Sequence, residues 1–141
     1  MKLEAPKSRE SMSTIFNTHQ PTILVVENEV SNRLLIERVL STRGYRCLSA
    51  SNGREALDIL DREQVDLILT DLSMPVLDGY RATQLIRARP GLANVPIVAV
   101  TAFALSDEGE AARQIGCTEY LTKPFKPRQL LEVVDRLLPQ K

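Results

Sequence analysis

The stretch "VDLILTDLSMPVLDGY", residues 65 to 80, decides the fold. Its first half is an apolar run without polar alternation. That is the pattern of a strand buried on both faces, as parallel sheets require when helices cover each side. Its second half breaks into Pro75 and the pair Asp78-Gly79, which are turn residues. Between the halves stands Asp71, a carboxylate placed where a hydrophobic strand should emerge from its sheet. Turn chemistry accounts for the proline and the glycine and gives no reason for that aspartate.

On either side, short apolar runs alternate with amphipathic stretches from Thr22 onward. "TILVVE" predicts a first strand. "SNRLLIERVLSTRG" predicts a helix with Ser31 as N-cap, i,i+4 pairs Leu35/Val39 and Ile36/Leu40, and Gly44 past its end. "YRCLSA" reads as a second strand, and in "NGREALDILDRE" Asn52 and Glu55 have capping-box spacing. After the third strand, "YRATQLIRAR" predicts a helix stopped by Pro90. "VPIVAVTA" is a fourth strand, "SDEGEAARQIG" a short helix with acids in its first turn, and "TEYLT" a fifth strand. "PRQLLEVVDRLL" closes the series as a helix starting at Pro127, with Leu130, Leu131, Val134, Leu137 and Leu138 as its core stripe. Five β-α repeats with short connections predict an α/β fold with right-handed crossovers and a doubly wound parallel sheet.

The 141 residues suit one such domain, expected over 21–141, preceded by a polar flexible tail or linker over 1–20. Eighteen basic residues balance eighteen acidic ones, so nothing grips nucleic acid or an anionic membrane electrostatically. No run is long and apolar enough to span a bilayer, and no signal peptide opens the chain. A cytoplasmic location is expected. The two cysteines, Cys47 and Cys117, lack metal-type spacing and read as buried thiols. His19, the only histidine, lies in the tail, which argues against an internal phosphohistidine relay or a zinc site. Arg81, Arg87 and Arg89 read as a solvated helix face.

In open parallel sheets, function gathers at the carboxyl ends of the strands. There the chain places Glu27-Asn28, Asp71, Thr101 and Lys123. Glu27, Asn28 and Asp71 are hard oxygen ligands of the kind Mg²⁺ takes beside retained waters. A carboxylate, a divalent metal, a hydroxyl and an ammonium around one point suit a phosphoryl group, and an aspartate can itself be the nucleophile.

Over residues 22 to 138 the sequence resembles the receiver domain of two-component response regulators. The motifs are "ILVVEN", "DLSMPVLDGY", "VTA" and "YLTKPF", in order and suitably spaced. The resemblance implies a flavodoxin-like sheet of strand order 2-1-3-4-5. It implies a phosphoacceptor at Asp71 and Mg²⁺ held by Glu27, Asn28, Asp71 and the backbone carbonyl of Ser73. Thr101 and Lys123 would contact the phosphoryl group, with Thr101 and Tyr120 as the switch pair. Asn28 stands where the family carries an acid, so the implied metal site is one charge short. The implied donor is a phosphohistidine on a histidine kinase or histidine phosphotransfer protein. The implied output is a downstream protein engaging the helix before the fifth strand, that strand and the last helix, roughly residues 105 to 138. A second copy of the chain is a further admissible partner. On this reading the chain is no enzyme beyond self-catalysed phosphoryl transfer and autodephosphorylation.

Two origins stay open, a stand-alone regulator and a receiver excised from a hybrid kinase. The alternative function is a pseudo-receiver, a constitutive protein-binding module whose metal site has decayed at Asn28. A small phosphatase with Asp71 as nucleophile is disfavoured because Ser73 stands where its second acid is needed. A flavodoxin is disfavoured because no Ser/Thr/Gly-rich phosphate loop follows the first strand.

Overall fold

A computed structural model describes residues 20–72, 79–101 and 116–138. The tail, the segment from Ser73 to Asp78 and the helix expected over 106–116 up to Ile115 lie outside them. The elements are β1 (Thr22–Val26), α1 (Val30–Ser41), β2 (Arg46–Ala50), α2 (Gly53–Leu60), β3 (Leu67–Asp71), α3 (Gly79–Arg87), β4 (Ile97–Thr101), β5 (Glu119–Thr122) and α4 (Pro127–Leu137). The strands form one parallel sheet in the order β2-β1-β3-β4-β5, as the family resemblance implies.

Every residue of β1, β3 and β4 is buried, and strand parity divides them between two cores. Val25, Leu69 and Val100 face α1 and α4, meeting Ile36, Leu40, Leu130 and Val134. Val26, Ile68 and Ala99 face the other way, toward Ala56 of α2 and Ile86 of α3. The stripe on α4 behaves as its spacing predicts: Leu130 and Val134 are fully buried, and Leu131, Leu137 and Leu138 pack around them. Truncating Leu130 to alanine would cost about 2–5 kcal/mol, because the close-packed core relaxes only in part around the void.

Three local expectations need correction. The N-cap of α1 is Glu29, not Ser31; Ser31 lies in the first turn, where its hydroxyl donates to Glu29 Oε1 at 3.1 Å. Of the two i,i+4 pairs on that helix, Ile36/Leu40 is buried, whereas Leu35 is 58% exposed. Arg87 is not part of a solvated face. Its guanidinium donates to the carbonyls of Leu92, Val95 and Gly116 and so clasps the approaches to β4 and β5. Gly116 has φ +112°, and a Cβ there would stand 3.0 Å from Arg87 Cγ, so clasp and glycine require each other.

The caps at α2 and α4 follow the sequence more closely. Asn52 Oδ1 accepts from the Glu55 N–H at 2.9 Å, while Glu55 reaches back one residue further than a capping box requires, to the N–H of Ser51. Pro127 opens α4, and Gln129 Oε1 accepts from the Lys126 N–H. Both cysteines are free. Burial pushes each thiol up to about 11, so neither is a reactive thiolate at neutral pH.

Candidate functional site

The parallel sheet brings Glu27, Asp71, Thr101 and Lys123 to one edge. The register of β1 with β3 ends at Val26↔Thr70, so Glu27 and Asp71 are the next residues out on adjacent strands. β3 and β4 pair through Asp71↔Val100, and β4 and β5 through Thr101↔Thr122. Lys123 follows directly, its N–H bonded to the Thr101 carbonyl at 2.7 Å. The Lys123–Pro124 peptide is cis.

Glu27 is 2% exposed and Asp71 8%. Two carboxylates so deeply placed demand compensation. Lys123 supplies it: Nζ lies 3.1 Å from Glu27 Oε1 and 3.2 Å from Asp71 Oδ2. The other oxygen of Glu27, Oε2, accepts from the Glu29 N–H at 3.1 Å. Burial pulls the Lys123 ammonium down, but its hydrogen bond to Glu27 and the charges of Asp71 and Glu27 together outweigh it, and its pKa rises. Two strand-end carboxylates that share one ammonium already form a cation-attracting point. That donor set fits Mg²⁺, a hard cation held by one or two carboxylates and several waters.

Asn28 is exposed at the rim, next in chain to the buried Glu27. Among the described residues no three acids, histidines or cysteines converge as a metal cluster. Ser73, expected to lend a carbonyl, lies outside the described residues. Thr101 is buried at the end of β4. Tyr120 is half-buried on the core formed with α2 and α3. The structure thus brings together Glu27, Asp71 and Lys123 by direct contact and Thr101 through the backbone of Lys123. Asn28 follows Glu27 in the bend after β1, and Tyr120 lies within β5, three residues before Lys123.

Sequence reasoning missed Arg33. Its guanidinium donates to the main-chain carbonyl of Glu27 at 2.8 Å. The available signal was its position, a cation close behind a helix N-terminus, where the macrodipole disfavours positive charge. A residue so placed against the dipole needs a specific partner.

Residues 23–135 match the family model described as the response regulator receiver domain. The sensor histidine kinase GacS of Pseudomonas protegens is 37% identical over 132 residues, 91% of this chain but 14% of that protein. The polar-differentiation response regulator DivK of Brucella anthropi is 32% identical over 117 residues, 83% of this chain and 95% of that one. Among solved structures, the receiver domain of a Pseudomonas aeruginosa sensor histidine kinase superposes with a TM-score of 0.79 at 40% identity, covering 85% of this chain and 98% of that one. That structure holds a magnesium ion coordinated in its active site cleft. No helix among the described residues is long and apolar enough to cross a membrane.

Proposed function

This chain belongs to the response regulator receiver family and is a receiver domain of a two-component phosphorelay; within that role we propose that Asp71 is its phosphoacceptor. The observation that carries the proposal is the shared ammonium: Asp71 and Glu27 are buried carboxylates held to one Lys123 Nζ. Such an oxygen can attack a phosphoryl group once a cation offsets the charge around it. Bound Mg²⁺ would supply charge compensation at the phosphoryl oxygens. Glu27, Asn28, Asp71 and Ser73 would hold it.

Each of the chain's own residues then has a distinct task. Asp71 provides the nucleophilic oxygen and becomes the acyl phosphate as the P–N bond of the donor phosphohistidine breaks and its electron pair returns to the departing imidazole. Lys123, freed from one carboxylate as negative charge moves outward onto the phosphoryl group, follows that charge as a mobile point cation. Thr101 offers its hydroxyl to the phosphoryl oxygens, and Tyr120 packs inward as Thr101 shifts, carrying the change to the surface over roughly 105–138. Phosphoryl transfer and loss are self-catalysed at this site.

The donor is a phosphohistidine on a kinase or phosphotransfer protein. Its landing face is the exposed apolar side of α1, where Val30, Leu34 and Leu35 stand just past the Glu27–Glu29 turn of the site. The chain spans about one seventh of the sensor kinase it resembles (14%), so a hybrid kinase as parent protein is likewise a proposal. A constitutive binding module is disfavoured, because the carboxylate pair and its lysine are in place.

Mass spectrometry after incubation with Mg²⁺ and a small phosphodonor tests the assignment. One phosphoryl group on Asp71, absent from Asp71→Asn, is the expected result. Full labelling of that variant would overturn it.

A further inference from the structure

We propose that Arg33 is a positioning residue for the cation site, acting through the peptide that joins Glu27 to Asn28; this rests on the reading of Glu27 and Asp71 as the metal's carboxylates. The ladders of β1 to β2 and β3 end at Val26, and the Glu27 N–H makes one more bond, to the Ala50 carbonyl at 3.0 Å. The Glu27 carbonyl lies beyond the ladder, on a residue 2% exposed, and takes Arg33 Nη1 at 2.8 Å.

A peptide is planar, so fixing that carbonyl fixes the direction in which the chain leaves toward Asn28 and Glu29. Two consequences meet in the site. Asn28 departs at a set angle, and the Glu29 N–H is held where it bonds Glu27 Oε2 at 3.1 Å. That bond leaves Oε1 turned toward Lys123. Arg33 is itself anchored in α1, its N–H bonded to the Glu29 carbonyl at 3.0 Å, so side chain and backbone close the same turn twice. Its charge also reaches across the rim to α2. The Glu55 carboxyl sits below its ordinary range, first through hydrogen bonds from Ser51 and lastly through Arg33.

The sign of one measurement separates positioning from charge. Removing a cation from the neighbourhood of the site should, by Coulomb's law alone, strengthen Mg²⁺ binding. Removing a positioning group should weaken it, and outer partners of metal ligands commonly govern about ten- to a hundredfold in affinity.

The experiment is a Mg²⁺ titration of the full chain followed by amide shifts at Glu27 and Asp71, on wild type, Arg33→Ala and Arg33→Lys, with thermal melts of each. Arg33→Ala is expected to bind about tenfold or more weakly. Arg33→Lys, which keeps the charge and one donor, is expected to recover most of the affinity. Unchanged or tighter binding in Arg33→Ala, with wild type binding normally, overturns the role of Arg33. Absent shifts at Glu27 and Asp71 in wild type overturn the underlying metal assignment and this inference with it. Should Arg33→Ala lose its fold, Arg33→Gln takes its place: binding weaker than wild type supports the role, and unchanged or tighter binding overturns it.

Discussion

The N–H of Lys123 donates to the carbonyl of Thr101 at 2.7 Å, so a main-chain bond ties these two residues together. That bond is kept when either side chain is truncated. Thr101→Ala is expected to keep phosphoacceptance, at a cost of about 1 kcal/mol in stability for the lost buried hydroxyl. The phosphorylated variant should lack the amide shifts that wild type shows around Tyr120 and along α4. Lys123→Ala is expected to remove the same shifts while also leaving Glu27 and Asp71 without their shared cation. Wild-type shifts in either phosphorylated variant would take that residue out of the switch.

Asn28→Asp should tighten Mg²⁺ binding and speed phosphorylation. A charged oxygen replaces an amide beside Glu27, and the gain should be modest, on the order of 1–3 kcal/mol, because the rim is solvated. The same carboxylate adds repulsion when metal is absent, so the metal-free melting temperature should fall. A metal titration paired with melts separates these opposite effects. Equal affinity in both proteins would mean that position 28 does not face the cation.

Leu34, 55% exposed on α1, tests the donor's landing face. Leu34→Glu should change stability by no more than about 0.5 kcal/mol, as exposed positions do. Transfer from a phosphohistidine protein should slow roughly tenfold, as when an apolar anchor leaves an interface. Phosphorylation by a small donor should be unaffected, and equal slowing with both donors would refute docking on this face.

Cys117 gives an alkaline signature. Burial raises its thiol from 9.0 to about 11, so the native state holds the proton more tightly than the unfolded chain. Stability from this source is complete below pH 9.0 and is lost as pH rises toward 11, by something of order 2 kcal/mol. Denaturant melts across that window should show the fall in wild type and a shallower one in Cys117→Ala. Parallel slopes would assign the loss to other groups.

The buried parallel sheet was legible because β1, β3 and β4 are apolar in all but their end residues, as runs covered on both faces are, whereas the strand order came from the family resemblance. Asp71 was legible for the converse reason, being a charge at the end of one of them. Arg33 and Arg87 were not. Each acts on main-chain carbonyls, at Glu27 and at Leu92, Val95 and Gly116, and a carbonyl has no letter in the sequence. The cap of α1 was misplaced by two residues because serine is the better capping residue, yet the chain leaving β1 turns into the helix at Glu29.

Lys123 stands 96 residues from Glu27 and 52 from Asp71 along the chain, yet it contacts both. A ribosome therefore finishes the carboxylates long before it finishes their cation, and β5, the strand leading to Lys123, is the last of the sheet's strands to be made and lies at its edge. Until then neither Glu27 nor Asp71 has the Lys123 ammonium beside it. A chain stopped before β5 carries two carboxylates without the cation that the fold provides for them: the charge balance of this sheet edge is complete only once Lys123 has been made.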